Sequence, residues 1–162
     1  MAGGDEASIA RARSLFAVLG SQFTHVGGIG AGQVAKAANQ IIVGLNIGAV
    51  AEAMALVEAA GVDPAKVREA LLGGFAGSRI LEVHGQRMID RAFKPGARVT
   101  TQYKDMRQAC ELGALLGQAL PATELGRDLY RQLRSQKKIL LVDAWQDLAY
   151  RDSVRQLVNE FY

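Results

Sequence analysis

Apolar and polar positions along the chain predict a helical protein built around one long helix. From Gly32 to Ala60 the sequence is rich in Ala, Ile, Val and Leu around most of the helical circumference. A helix that is apolar on all sides is typical of the buried centre of a domain. Small residues recur through this segment and would let neighbouring helices approach closely. We therefore predict an all-α helical bundle around one long buried central helix.

A shorter helix and a strand are predicted ahead of the long helix. Apolar residues recur at helical spacing from Ser8 to Leu19, and Gly20 ends the pattern. Phe23 to Val26 has the composition of a short strand, which ends at Gly27-Gly28. Because one strand cannot form a sheet alone, we expect its partner to lie on another chain or in sequence outside this one.

Helices alone are predicted after Val26. Asp63 and Ser78 stand where a side chain can cap a helix N-terminus, and glycine and proline separate the remaining apolar patterns. The predicted helices are 65–72, 79–93, 101–118, 121–135 and 143–161.

Composition favours a soluble, cytoplasmic globular protein. The net charge of +3 is small, and basic and acidic residues interleave along the predicted helices. That distribution is typical of a solvated surface, so we expect no nucleic-acid partner. Cys110 is the single cysteine, which excludes a disulfide framework and favours a reducing compartment. The longest apolar run, Ile41 to Ala51, is too short and too interrupted to span a bilayer, so we expect no membrane partner.

Lys36, Asn39 and Gln40 are the main candidates for chemistry. They place one amine and two carboxamides within about one turn at the start of the long apolar helix. Residues three and four apart share a helix face, so these groups can act together on one small molecule. The alternative is a lysine whose stem covers apolar surface while its ammonium reaches water.

Two further patterns were weighed. Lys104 and Asp105 are adjacent near the start of a predicted helix, where they are either a functional pair or an ordinary surface pair. The glycine run 27–32 follows a strand and precedes a helix, as a dinucleotide-binding loop does, but Gln33 stands where the third glycine of that fingerprint belongs. We therefore reject a self-contained nucleotide site, and we predict no metal site.

Four stretches together resemble the C-terminal helical domain of the β-hydroxyacid dehydrogenases. Among these enzymes the resemblance is greatest to 2-hydroxy-3-oxopropionate (tartronate semialdehyde) reductases, with 3-hydroxyisobutyrate dehydrogenases as near neighbours. The stretches are Gly27-Gly-Ile-Gly-Ala-Gly-Gln-Val-Ala-Lys-Ala-Ala-Asn-Gln40 and its continuation to Asn46, Glu52-Ala-Met-Ala-Leu56, Gly73-Gly-Phe-Ala-Gly-Ser-Arg79 and its continuation to Gly85, and Tyr103-Lys-Asp-Met106.

The resemblance implies a role for each candidate. Lys36 matches the lysine that passes a proton to or from the substrate oxygen during hydride transfer. Asn39 and Gln40 match the substrate-binding carboxamide region, and which of the two binds is left open. Lys104 matches a lysine that reaches the cofactor, NAD or NADP, or the substrate. The fold implied is that of the 6-phosphogluconate dehydrogenase C-terminal domain, which dimerises through its long helix.

The resemblance also divides the chain into three parts. Residues 1–28 would be the end of a Rossmann domain, 29–136 the helical substrate-binding and dimerisation domain, and 137–162 a divergent helical tail. The Rossmann domain that holds most of the cofactor site has no counterpart in the sequence, so we expect this chain alone to be inactive. The whole enzyme would reduce a small semialdehyde acid as a homodimer or higher oligomer. The alternative is a helical scaffold or oligomerisation module without catalysis.

Overall fold

The computed structural model describes residues 1–92 and 98–135, and this part of the chain is mostly helical. The predicted helix at 143–161 and the end of the one at 79–93 lie outside the described residues. The elements in chain order are β1 (Ala2–Gly3), α1 (Glu6–Leu19), β2 (His25–Gly27), α2 (Ala31–Ala59), α3 (Pro64–Leu72), a π-helical segment (Leu81–Gly85), α4 (Gln86–Ile89), α5 (Val99–Leu115) and α6 (Pro121–Ser135).

The strand predicted near residue 25 pairs within the chain itself. β1 lies parallel to β2 and aligns Ala2 with His25, and the Ala2 amide donates to the Thr24 carbonyl at 3.0 Å. The prediction that the partner strand lies outside this sequence is therefore wrong. A strand of two residues is too short to produce an alternating pattern, which is why the sequence did not reveal β1.

Helix α2 spans 29 residues and begins immediately after the short sheet. Gly30 precedes it with a φ of 90°, a left-handed conformation that suits glycine and turns the chain from strand to helix. The close approach of β1 to this turn also requires glycine, because a Cβ on Gly3 would lie 2.5 Å from the Gly28 carbonyl oxygen. The first turn of α2 is thereby fixed against the sheet.

The core forms where α5 and α6 pack against the second half of α2. Tyr130 of α6 is fully buried, and its hydroxyl donates to the Gly44 carbonyl at 2.9 Å. The buried residues of the core cluster are Ile47, Val50, Ala51, Met54, Leu81, Met88, Val99, Met106, Tyr130 and Leu133. Small residues on α2 permit this close packing, as the sequence predicted.

Burial of α2 differs from the prediction that it is enclosed on every side. Within the described residues one face is buried, and the opposite face exposes 49% of Val34, 65% of Ile42 and 71% of Leu56. By length and composition α2 could also cross a bilayer, a property it shares with core helices of globular domains. Because α2 packs against α5 and α6, it is placed here as a core helix of a globular domain.

The predicted helix from residue 79 is irregular at its start. Leu81–Gly85 forms a π-helical segment before α4, and the Arg68 guanidinium donates to the carbonyls of Leu81 at 3.1 Å and Glu82 at 2.6 Å. Ser78 accepts from the Leu81 amide at 3.0 Å, which confirms it as a cap. A single wide turn leaves no distinct period in the sequence, so the pattern predicted an ordinary helix.

Candidate active site

Lys36 lies near the start of α2 with its side chain exposed. Its helix face continues through Gln40 and Gly44 at intervals of four residues, and then into the buried positions Ile47 and Ala51. The ammonium is therefore carried by the face that forms the core further along, at a level where that face is still open to solvent. An exposed ammonium at such a place is available to a bound molecule.

The two carboxamides next to Lys36 are joined to each other and to α5. Asn39 Nδ2 donates to Gln40 Oε1 at 2.8 Å. Gln40 Nε2 in turn donates to Asp105 Oδ2 at 2.5 Å. The structure thus joins Asn39 to Gln40 and fixes the pair against a carboxylate of the neighbouring helix.

Asp105 also holds Lys104, so both candidate regions belong to one network. Lys104 Nζ lies 2.9 Å from Asp105 Oδ1, with the Lys104 side chain 54% exposed and that of Asp105 only 11% exposed. A carboxylate with so little access to water needs hydrogen-bond donors, and here an ammonium and a carboxamide supply them. The pair is therefore more than a solvated surface ion pair, because one partner is buried against α2.

Gln102 is a member of the network that sequence reasoning missed. It is buried, with 4% exposure, and its Nε2 donates to the Gln40 carbonyl oxygen at 3.0 Å. Gln40 Nε2 also lies 3.5 Å from Gln102 Oε1. A signal was present in the sequence, because Gln102 occupies a core position of α5 at helical spacing with Val99 and Met106.

Gly44 provides the space that Gln102 occupies. A Cβ on Gly44 would lie 2.5 Å from Gln102 Nε2 and 2.8 Å from Met106 Sδ. The absence of a side chain therefore lets α5 approach α2 closely beside the network. The Tyr130 hydroxyl on the Gly44 carbonyl adds a third helix to this contact.

The loop 73–79, another stretch that carries the resemblance, contacts α2 further along. Ser78 Oγ donates to Asn46 Oδ1 at 3.4 Å, and Arg79 pairs with Glu82 at 2.7 Å on the surface. These contacts fix the loop beside the middle of α2, beyond the turns that carry Lys36 and Gln40. They do not connect it to the Gln40–Asp105 network.

The described residues contain no group of three or more His, Cys, Asp or Glu side chains arranged to hold a metal ion. Cys110 is half-buried, and burial raises the pKa of its thiol, which disfavours the reactive thiolate. Lys36 and the carboxamides of Asn39 and Gln40 therefore stay the candidate groups for chemistry.

Comparison with known proteins decides the family. Residues 30–139 match the family model described as "NAD-binding of NADP-dependent 3-hydroxyisobutyrate dehydrogenase", which is more than half of the chain. The chain belongs to this dehydrogenase family. The resemblance inferred from Lys36, the loop 73–79 and the Lys104-Asp105 pair is confirmed at this level, and the family is one of NAD-binding oxidoreductases.

Individual members of the dehydrogenase family match over most of this chain. The chain is 52% identical over 130 residues to 2-hydroxy-3-oxopropionate reductase of Escherichia coli, which covers 80% of this chain and 44% of the relative. A probable 3-hydroxyisobutyrate dehydrogenase-like protein of Arabidopsis thaliana is 35% identical, covering 83% of this chain and 40% of its own length. The chain thus spans about half the length of the curated relatives it matches.

Solved structures of this dehydrogenase family have the same fold. The 3-hydroxyisobutyrate dehydrogenase of Salmonella typhimurium superimposes with a TM-score of 0.82 at 23% identity, covering 90% of this chain and 52% of that one. The Mycobacterium tuberculosis enzyme, solved with L-serine, gives a TM-score of 0.80 at 26% identity over 90% of this chain and 53% of that one. The mostly helical architecture with a small parallel sheet is therefore that of dehydrogenases of this family.

Proposed function

We propose that this chain is the helical part of an NAD(P)-dependent hydroxyacid dehydrogenase that reduces 2-hydroxy-3-oxopropionate (tartronate semialdehyde) to glycerate. The 52% identity to the Escherichia coli reductase of that name supports the substrate. The observation that carries the proposal is the exposed Lys36 beside the Asn39–Gln40–Asp105 network. The protein acts in the cytoplasm, in keeping with its single cysteine.

Lys36 is the proton donor in this proposal. Reduction of an aldehyde places negative charge on the carbonyl oxygen, and an ammonium beside that oxygen both stabilises the charge and supplies the proton. The long stem of lysine and its exposure allow Nζ to reach a molecule that lies over the first turns of α2. In the oxidative direction the neutral amine takes the proton from the hydroxyl.

Asn39 is the better candidate for direct substrate binding. Its Nδ2 uses one of its two N–H groups on Gln40, which leaves the other for a carboxylate or hydroxyl oxygen. The amide of Gln40 is committed to protein partners, since its oxygen accepts from Asn39 and its nitrogen donates to Asp105. Gln40 therefore positions Asn39, and this assigns the two carboxamides that the sequence left open.

The donor set of this chain fits part of an NAD(P) molecule. The Lys104 ammonium has three donors, of which Asp105 takes one. Its exposure leaves the remaining donors for a phosphate, a ribose hydroxyl or a substrate carboxylate. When bound, the nicotinamide supplies the hydride. The residues of this chain bind and orient the substrate, hold one edge of the cofactor and move the proton.

The whole enzyme is a homodimer or higher oligomer in this proposal. The exposed apolar positions Val34, Ile42 and Leu56 follow one stripe of α2, and an unsatisfied apolar stripe is typical of a surface that a partner covers. Sedimentation of the chain should show an oligomer. A stable folded monomer would contradict this part of the proposal.

The central test replaces Lys36 in an active polypeptide. The chain would be fused behind the Rossmann half of the Escherichia coli reductase, and NAD(P)H oxidation with tartronate semialdehyde would be followed. We expect Lys36→Ala to lower kcat by about 10²–10⁴-fold, the usual contribution of a positioned acid or base. The matched control is Lys66→Ala, which removes an exposed ammonium from α3 and should leave kcat unchanged.

Full activity of the Lys36→Ala fusion would refute the assigned role. The alternative function, a helical scaffold without catalysis, makes the opposite prediction. Under that hypothesis the fusion is inactive with or without Lys36, and its replacement changes at most the stability slightly.

A further inference from the structure

We propose that Gln102 is a positioning residue of this site, which holds Gln40 so that Asn39 keeps its orientation toward substrate. This inference rests on the proposed function, because it concerns the same site. Gln102 itself is buried where α5 meets α2, with 4% exposure. It acts on the chemistry only through the residues that it holds.

Both polar atoms of Gln102 are directed at a single residue. Nε2 lies 3.0 Å from the Gln40 carbonyl oxygen, and Oε1 lies 3.5 Å from Gln40 Nε2. A buried carboxamide is costly unless it is hydrogen-bonded. Two contacts to the main chain and side chain of one residue therefore fix that residue in register with α5.

The Gly44 gap makes this arrangement specific. A methyl group at position 44 would lie 2.5 Å from Gln102 Nε2, so Gln102 has its present position only because residue 44 is glycine. Met106 lies against the same gap, 2.8 Å from where that methyl carbon would be. Gln102 and Gly44 therefore form one unit, and a change in either should displace the carboxamide.

Displacement of Gln102 should weaken substrate binding more than the chemical step. Gln40 would lose its contacts with Gln102 and would keep only the hydrogen bond to Asp105 on α5, so Asn39 would be held less firmly. Lys36, by contrast, is carried by the backbone of α2 and does not depend on the carboxamide of Gln102. We therefore expect KM to rise while kcat changes little.

The first experiment uses this chain alone. Gln102→Met retains the length and apolar volume of the side chain and removes its polar atoms, and Gln108→Met is the control at an exposed position of the same helix. In ¹⁵N-labelled protein we expect Gln102→Met to shift the side-chain amide signals of Gln40 toward solvent-like values. Gln108→Met should leave them in place. Unchanged Gln40 signals in Gln102→Met would overturn the proposal without reference to activity.

The second experiment is a double-mutant cycle in the fusion protein. Gln102→Met and Gly44→Ala should each raise the KM for tartronate semialdehyde about fivefold to tenfold, as expected for loss of one oriented polar contact. In a Gln40→Met background, Gln102→Met should have a much smaller effect on KM, because only its bond to the main-chain carbonyl of residue 40 is left to lose.

The outcomes separate the two proposals. If Gln40→Met leaves KM unchanged, the proposed role of the carboxamides fails and this inference fails with it. If Gln40→Met raises KM but Gln102→Met does not, or if the two effects multiply, the proposed function stands and the positioning role of Gln102 is wrong. A loss of kcat in Gln102→Met as large as its rise in KM would also overturn it.

Discussion

One face of α2 carries exposed and half-buried polar residues in its first half and buried core residues in its second half. Before Gly44 this face carries Lys36 and Gln40, which are exposed and half-buried. After Gly44 it carries Ile47 and Met54, which are buried in the core. The residue spacing is the same in both halves. The difference is that α5 and α6 cover the second half, whereas in the first half α5 contacts Gln40 and leaves Lys36 exposed.

The comparison shows how one helix can be both scaffold and site. Residues that pack need only apolar volume, whereas residues that act on a ligand need to project beyond the covering helices. Gly44 lies at the boundary, where the Tyr130 hydroxyl and the Gln102 carboxamide both meet α2. Packing of the buried half of α2 thereby fixes the orientation of Lys36 and Gln40 in the exposed half.

The largest difference in unfolding free energy should appear when a charge is placed on the buried face and on the exposed face of α2. Ile47→Asp puts a carboxylate at a position with 1% exposure, which should cost more than about 3 kcal/mol and leave the domain largely unfolded. Ile42→Asp, at a position with 65% exposure on the stripe proposed to face a partner, should weaken association but change the unfolding free energy of the monomer by less than about 1 kcal/mol. Circular dichroism with urea titration measures both, and a folded Ile47→Asp protein would break the comparison.

Asn39→Ala should affect substrate binding and not stability. The exposed carboxamide donates one hydrogen bond, to Gln40, so we expect the urea midpoint to remain in place. Loss of its second N–H from the substrate should raise KM in the fusion protein by about tenfold. The control is Asn46→Ala in the core half of α2, which should leave KM alone. Equal KM values in wild type and Asn39→Ala would show that the direct contact has been misassigned.

Tyr130→Phe should lower stability and leave substrate binding unchanged, the reverse of Asn39→Ala. It removes the hydrogen bond to the Gly44 carbonyl at 2.9 Å and leaves the ring packing intact. We expect a loss of about 1 kcal/mol in unfolding free energy with KM nearly unchanged. Tyr103→Phe is the matched control, because that half-buried ring packs beneath Arg134 and should tolerate the change. A rise in KM without loss of stability would mean that the two halves are not separable.

The smallest expected effect is a pH dependence of folding stability that comes from His84. Burial lowers the pKa of His84 below its usual 6.5, and the nearby Arg87 lowers it further. Its Nδ1 has no hydrogen-bond partner among the described residues. Because the folded pKa is depressed, the neutral form is favoured on folding, and the stability is fully present above about pH 6.5 and declines as the pH falls toward the folded pKa.

Replacement of His84 checks that dependence. His84→Gln should flatten the fall in urea midpoint between neutral and mildly acidic pH, while His25→Gln, at an exposed position, is the control for the second histidine. The side chain of His84 is only half-buried, so solvent screens the effect and the slope should be shallow. An unchanged slope in His84→Gln would assign the dependence to carboxylates elsewhere.

The long helices were predictable from the sequence, because a pattern over many residues shows a clear helical period. The helix predicted at 32–60 is α2, Ala31–Ala59, and the one predicted at 121–135 is α6, Pro121–Ser135. The strand at β2 was predicted, but β1 and the π-helical segment were missed, because each is too short to have a period of its own. The exposed stripe of α2 was also missed, since composition around a helix does not show which side its neighbours cover.

The candidate site was predictable where it depended on spacing along one helix. Lys36, Asn39 and Gln40 are close because they lie within about one turn of α2. The hydrogen bond between the two carboxamides is an addition that the structure supplies. The part contributed by Gln102 could not be derived in the same way. It depends on contact between α2 and α5 across the Gly44 gap, and a single sequence carries no record of which distant residues meet.

The contact between β1 and the turn at Gly28 has a practical consequence for anyone who extends the protein. Because Gly3 touches the backbone just ahead of α2, a domain or affinity tag joined before Met1 would enter the fold within a few residues of the Lys36 end. A Rossmann domain joined there would be placed next to Lys36, as the proposed fusion requires, whereas a tag would occupy the same neighbourhood as a ligand. Purification handles are therefore better placed at the opposite terminus.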